Sequence, residues 1–124
     1  MNERDPKLTA LMFNQCINAR DIDGLTALMT DDHTFIDRDN GRHQGKDRMS
    51  QGWRDFFEQF PKYRNTFIRV QSAGALVVVL GYAEWTLEGE PDHVIWTAMI
   101  RDDLVAEWRV LKDTEGNRES LGLI

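Results

Sequence analysis

Pro61 separates two halves of the chain that differ in their hydrophobic periodicity. Before it, apolar side chains recur at helical spacing in three segments, whereas after it they alternate as in strands almost to the end. Helices followed by a run of strands can bury both kinds of apolar surface if the helices pack on one face of a sheet. The sequence therefore predicts an α+β fold, with three N-terminal helices lying across a curved, mostly antiparallel sheet to form a cone.

Length and composition narrow the possible functions. A chain of 124 residues predicts one domain, 1–124. The formal net charge of −6 argues against a nucleic acid or an anionic membrane as partner. Cys16 is the only cysteine, residues 1–8 lack the apolar segment of a signal peptide, and the longest apolar run, 75–80, is too short to span a bilayer. We therefore expect a cytoplasmic protein without a membrane partner.

The predicted helices have recognisable starts. Pro6 suits the first turn of a helix over residues 6–19, and Asp21 suits the N-cap of a short helix over residues 22–29. The third predicted helix spans residues 45–61. Its apolar side chains form one stripe: Met49, Trp53, Phe56, Phe57 and Phe60.

The predicted strands alternate between two faces. They span residues 34–37, 66–72, 76–88, 93–101 and 105–112, with a loop over 38–44 and a polar loop over 113–117. Gly81 lies within the longest strand, where it predicts a bulge or a bend.

Asp37 ends the first predicted strand, and the cone would place its carboxylate among tryptophans. Burial would raise the pKa of this carboxyl toward neutrality, which suits a general base. His33 shares the strand face but lies about 13 Å along it, so both could contact one ligand without touching. The alternative for His33 is a hydrogen bond to the backbone. The alternative for Asp37 is a carboxylate at the strand end that is solvated or paired with a basic side chain of the next loop: Arg38, Arg42 or His43.

A metal site is not expected. His33, Asp37, Asp39 and His43 are suitable ligand types, but their spacing lacks the short repeats typical of metal sites. No cofactor is predicted.

The aromatic side chains predict a ligand pocket. Trp85, Trp96 and Trp108 lie on successive predicted strands beside small residues, an arrangement that can leave a slot for a flat apolar ligand. The alternative is that the tryptophans simply fill the core. The predicted lining is Phe13, Ile17, Phe35, Trp53, Phe56, Gly81, Ala83, Trp85, Trp96, Ala98, Trp108 and Val110.

The opposite face of the sheet is also predicted to be apolar. An exposed apolar face on a small domain needs a cover, and a second copy of the chain would supply one. We therefore expect a homodimer through the outer sheet face, formed by Val78, Leu80, Tyr82, Ile95, Thr97 and Met99.

Four segments carry a family resemblance: FNQCINARDIDGLTALMTDDHTFID (13–37), QGKD (44–47), WRDFFEQFP (53–61) and VAEWRVLKD (105–113). Together they resemble the nuclear-transport-factor-2-like superfamily, which includes SnoaL-like polyketide cyclases, ketosteroid isomerases, scytalone dehydratase and limonene epoxide hydrolase. The resemblance covers nearly the whole chain. It implies a fold that hosts both enzymes and pure binding modules.

Ketosteroid isomerases give the sharpest comparison. Asp37 falls where the resemblance places their general base. Their oxyanion donors and supporting tyrosine are replaced here by Phe13, Trp53 and Ala98, so ketosteroid isomerase activity itself is not expected.

Three functions therefore remain open. The first is an isomerase, cyclase or dehydratase that uses Asp37 on an apolar carbonyl compound. The second is a non-catalytic ligand-binding or dimerisation module. The third, an epoxide hydrolase, ranks last because it needs a polar triad and only Asp37 and Arg42 are evident.

Overall fold

The computed structural model describes residues 4–124, so the first three residues of the predicted domain 1–124 lie outside the described residues. None of the helices in residues 4–124 has the length and hydropathy needed to cross a membrane. The elements in chain order are α1 (Pro6–Ala19), α2 (Ile22–Ala27), β1 (Met29–Ile36), β2 (Arg42–Gln44), α3 (Lys46–Gln59), β3 (Arg64–Ala73), β4 (Leu76–Glu84), β5 (Asp92–Arg101), β6 (Leu104–Lys112) and α4 (Glu115–Ser120).

Six strands form one sheet in the order β2-β1-β6-β5-β4-β3. The pairing of β1 with β6 is parallel, and the other four pairings are antiparallel. The main core lies between the sheet and the two long helices, where Phe13 of α1 and Trp53 of α3 meet Trp96 and Trp108 of the sheet. The prediction of a mixed α+β fold with helices against a mostly antiparallel sheet is confirmed.

The region between α2 and α3 differs from the prediction. The helix predicted over residues 22–29 ends at Ala27, and Met29 already pairs with Val105 of β6. The loop predicted over residues 38–44 contains β2, which pairs with β1. In both places hydrogen bonding to a neighbouring strand of the sheet outweighs the local helical or turn preference: for Met29 the partner is the distant β6, and for β2 it is the adjacent β1.

Gly81 permits an unusually close approach of two strands. A Cβ atom at this position would lie 2.1 Å from the carbonyl oxygen of Thr66 on β3. The register shifts opposite Gly81, between Phe67 and Arg69. The irregularity predicted near Gly81 is therefore present in the β3–β4 pair, and β4 ends at Glu84 rather than at residue 88.

The C-terminal tail covers part of the outer sheet face. Leu123 is only 2% exposed and packs against Val78 and Ile95. Its backbone carbonyl accepts a hydrogen bond of 2.9 Å from the Arg69 side chain on β3. The predicted loop over 113–117 lies largely within α4, which turns the chain back toward this face. Part of the apolar cover expected from a second subunit thus comes from the chain itself.

Candidate functional site

A cavity of about 470 Å³ lies between α3 and the sheet. Its volume is within the range of small-molecule sites, and its walls are mainly aromatic. Eight of the twelve predicted pocket residues line it: Phe35, Trp53, Phe56, Ala83, Trp85, Trp96, Trp108 and Val110. Strand alternation placed Phe35, Ala83, Trp96, Trp108 and Val110 on one face of the sheet, and helical spacing turned Trp53 and Phe56 of α3 toward that face.

Four predicted lining residues lie outside the cavity lining: Phe13, Ile17, Gly81 and Ala98. Phe13 and Ile17 are fully buried in the core under α1. The Phe13 ring packs against Trp108 with centroids 4.7 Å apart, so it backs the cavity wall without forming it. Ala98 is also buried in this core, and the Thr66 carbonyl occupies the space beside Gly81.

Asp37 lies at the mouth of the cavity, and its side chain is 38% exposed. One carboxylate oxygen is 3.1 Å from Nε2 of His43. The other accepts hydrogen bonds from the backbone N–H groups of Asp39 (3.0 Å) and Gly41 (2.8 Å). The hydrogen bond from His43, followed by that from Gly41, lowers the pKa of this carboxyl. The buried carboxylate with a raised pKa that the sequence predicts is therefore not observed, because Asp37 is solvated and stabilised by its own turn.

His43 owes its place to β2. It pairs with Phe35 of β1, which brings its imidazole to the cavity mouth. A carboxylate only accepts hydrogen bonds, so the contact with Asp37 places a proton on Nε2, and in a neutral imidazole with that proton Nδ1 is the acceptor nitrogen. Pairing with His43 was one of the alternatives that the sequence left open for Asp37. Arg42, on the same strand, is exposed and does not line the cavity.

His33 is fully buried and does not line the cavity. Its Nδ1 lies 2.6 Å from the carbonyl oxygen of Val105, as in the backbone-bonded alternative. Because that carbonyl accepts, Nδ1 carries the proton, and Nε2 has no partner among the described residues. Burial lowers the pKa of His33 and keeps the imidazole neutral. The structure thus separates His33 from the Asp37–His43 pair.

An ion pair across the mouth was missed by the sequence reasoning. Arg38 donates to Asp92 through its two terminal guanidinium nitrogens, and the contact from Nη1 to a carboxylate oxygen is 3.2 Å long. The indole N–H of Trp85 donates to the same carboxylate at 3.4 Å. The pair joins the turn after β1 to the start of β5. No local pattern connects residues so far apart in sequence.

Tyr63 is a second residue that the sequence reasoning missed. It lines the cavity, is 7% exposed, and packs edge-on against Phe56 and Trp85. Burial raises the pKa of its hydroxyl, so the phenol is neutral at physiological pH. The aromatic stripe of α3 provided a signal, since Tyr63 lies shortly after the end of the helix that carries Phe56 and is separated from Phe60 by only two residues. Within residues 4–124, no group of three acidic, cysteine or histidine side chains is arranged to hold a metal.

A match to a family model identifies the family of this chain. The family model of the SnoaL-like domain matches residues 10–117. The chain belongs to this SnoaL-like family. This SnoaL-like domain therefore lies within the nuclear-transport-factor-2-like superfamily that the four sequence segments resemble.

Several solved structures share the fold of this SnoaL-like domain. An uncharacterised cystatin-fold protein from Novosphingobium aromaticivorans has a TM-score of 0.80 and 20% identity, covering 89% of this chain and 100% of its own. A putative polyketide cyclase from Sinorhizobium meliloti has a TM-score of 0.74 and 19% identity, covering 82% and 92%. TerC, co-crystallised with polyporic acid, has a TM-score of 0.75 and 20% identity, covering 93% and 97%.

These identities are low enough that the three likenesses establish the fold alone. No match was found among curated proteins.

Proposed function

We propose that this SnoaL-like domain binds a small, flat, largely apolar carbonyl compound and catalyses proton transfer on it. An isomerisation, an aldol-type cyclisation or a dehydration would each follow from such a step. The observation that carries the proposal is the Asp37–His43 pair, 3.1 Å apart, at the mouth of an aromatic cavity. In this proposal the sheet curves around the ligand as the wall of a cone, and no cofactor is required.

The two side chains have different roles in the proposed reaction. Asp37 is a weak base because its pKa is lowered, so it acts by positioning His43 and stabilising the imidazolium that forms. His43 removes the proton through Nδ1, the nitrogen that Asp37 leaves free to accept. Asp37, predicted as the base itself, thus becomes the residue that orients the base.

Two of the related structures support a small-molecule ligand. The Sinorhizobium meliloti protein is a putative polyketide cyclase, and TerC was co-crystallised with polyporic acid. The fold therefore accommodates small organic molecules in other proteins. The aromatic walls of the present cavity suit the same general class of ligand.

The test is hydrogen–deuterium exchange at the α-carbon of 2-tetralone, a fused-ring ketone, followed by proton NMR in D₂O. We expect saturable acceleration by the wild type and a loss of about 100-fold or more in His43→Gln, as is typical when a general base is removed. Asp37→Asn should also lose rate, whereas Glu58→Gln, an exposed carboxylate on α3 outside the cavity, should not. Equal rates in wild type and His43→Gln would refute the assignment.

A non-catalytic binding module is the second candidate. The hydrogen bonds from Asp39 and Gly41 to Asp37 favour it, because they give this carboxylate a structural role in closing the turn. In that case 2-tetralone binds with the same affinity to wild type and His43→Gln, and neither protein accelerates exchange.

We also propose a homodimer through the outer sheet face. Its support is the apolar surface that the tail leaves uncovered, including Met99 at 38% exposure. Light scattering on a size-exclusion column should give twice the chain mass of 14.4 kDa. Met99→Asp should return the particle to the mass of one chain, and a wild-type monomer would refute the dimer.

A further inference from the structure

The indole N–H of Trp53 is a buried donor that the proposed proton transfer does not use. Trp53 lines the cavity and is 7% exposed, and its Nε1 has no acceptor among the described residues. Trp85 lines the same cavity, yet its N–H donates to Asp92 at 3.4 Å. A buried donor without an acceptor costs free energy, and the usual remedy is a partner that the bare chain lacks.

The side chains packed around the Trp53 ring are hydrocarbon rings without hydrogen-bond acceptors. Its ring lies among four phenylalanines, Phe13 at 6.5 Å, Phe35 at 6.0 Å, Phe56 at 5.7 Å and Phe57 at 5.6 Å between centroids. None of these side chains accepts a conventional hydrogen bond. Because Trp53 also lines the cavity, a bound ligand is the source from which we expect an acceptor for this N–H.

The position of Phe35 connects Trp53 with the proton-transferring pair. The Phe35 ring lies 6.0 Å from Trp53 and 6.1 Å from His43, measured between centroids. A ligand lying along Phe35 can thus direct one polar atom toward Trp53 and a carbon two bonds from that atom toward His43. These are the relative positions of the oxygen and the α-carbon of a ketone.

We propose that the Trp53 N–H donates to the carbonyl oxygen of the bound compound. This inference rests on the proposed function and adds a residue to it. When His43 Nδ1 takes the α-proton, the electrons of the broken C–H bond form the enolate, and its negative oxygen is held by the Trp53 N–H. The step requires no oxidant or reductant, and donors of this kind stabilise the developing oxyanion.

The charges at the mouth indicate a neutral ketone as the ligand class. Arg38 is paired with Asp92, and His43 with Asp37. The remaining charged lining residues, Arg48 and Asp39, are of opposite sign. With His43 neutral as the proposed base, the three aspartates and two arginines of the lining leave one negative charge in excess, which disfavours an anionic ligand. Recognition of a neutral ketone then depends on the aromatic walls and the Trp53 donor.

The test uses the four indole N–H signals of the wild-type chain, assigned in ¹H–¹⁵N spectra through single Trp→Phe variants. The protein is titrated with 2-tetralone and, separately, with tetralin, which has the same fused rings without the carbonyl. We expect the Trp53 proton to move downfield with 2-tetralone and not with tetralin.

A second measurement compares affinities. Wild type should prefer 2-tetralone over tetralin by about fivefold, the effect of one net hydrogen bond. Trp53→Phe should bind the two compounds equally, whereas Trp85→Phe, whose lost N–H was already bonded to Asp92, should keep the preference even if both affinities fall.

The outcomes separate the two proposals. Binding of both compounds without a ketone-specific shift at Trp53, or with the shift at another tryptophan, overturns the inference and leaves the proposed function standing. The same holds if Trp53→Phe keeps the ketone preference. If neither compound binds the wild type, both the inference and the proposed function for this ligand class are overturned.

Discussion

Replacing Gly81 by alanine tests the close approach of β3 and β4 beside the cavity. The added Cβ would lie 2.1 Å from the Thr66 carbonyl oxygen and 3.1 Å from the Trp96 ring. A carbon and an oxygen in ordinary contact are separated by about 3.3 Å or more, so the two strands must move apart by about 1 Å. The clashing atom is a backbone oxygen of the β3–β4 ladder, and it cannot move aside in the way that the end of a flexible side chain can.

The expected cost follows from this geometry. Overpacking a well-packed site usually costs about 1–3 kcal/mol, and a clash with backbone belongs at the upper end. A loss of about 3 kcal/mol is a large part of the stability of a small domain and corresponds to a decrease of about 10 °C in Tm. Because Trp96 lines the cavity, affinity for 2-tetralone should fall as well.

Thermal and urea unfolding followed by circular dichroism measure the effect of Gly81→Ala. The matched control is Gly116→Ala in α4, where an added Cβ meets no atom within 4 Å. Alanine is the better helix former, so this control should leave stability unchanged or raise it by up to about 1 kcal/mol. If Gly81→Ala unfolds within about 0.5 kcal/mol of wild type, the steric reasoning is refuted.

Three further predictions concern the tail and two titrating groups. Leu123→Ala should cost about 2 kcal/mol in urea unfolding because Leu123 is 2% exposed, whereas Ile124→Ala, at 67% exposure, should cost almost nothing; equal effects would contradict the tail packing. Burial lowers the pKa of His33, so the unfolded chain binds a proton that the folded chain does not. Stability should therefore fall as the pH drops below about 6.5, by at most about 1.4 kcal/mol per pH unit from this group, and His33→Gln should lack that component. The pKa of Asp37 is also lowered, so its carboxylate stabilises the fold above its unfolded pKa, near 3.9, and this contribution is lost as the pH falls through the folded pKa. The stability difference between wild type and Asp37→Asn should accordingly shrink in acid, and a constant difference would contradict the turn geometry.

The parts of the fold and site that could be predicted are those with a local cause. Alternation along β5 and β6 placed Trp96, Trp108 and Val110 on the side of the sheet that faces the cavity. The helical spacing around Trp53 likewise placed its stripe toward the sheet. In each case neighbouring residues settle the direction of the side chain, and distant contacts only confirm it.

The parts of the fold and site that could not be predicted depend on contacts between segments that are distant in the sequence. Phe13 and Trp53 both face the sheet, but only the way α1 and α3 pack on it decides which ring borders empty space. The Arg38–Asp92 pair forms only after the sheet brings the turn after β1 next to the start of β5. A sequence read segment by segment contains no signal for either outcome.

The location of Asp37 at the mouth rather than deep in the cavity has a physical cause. Farther inside, its carboxylate would lose water together with the hydrogen bonds from Asp39, Gly41 and His43, and the aromatic walls would offer no cationic partner in return. An acidic group next to an apolar cavity is therefore best held at the edge, and in the proposed reaction it is the imidazole of His43 that reaches the ligand. The same reasoning assigns the interior to a neutral donor such as the Trp53 N–H, since a neutral group can be buried at far lower cost than a charged one.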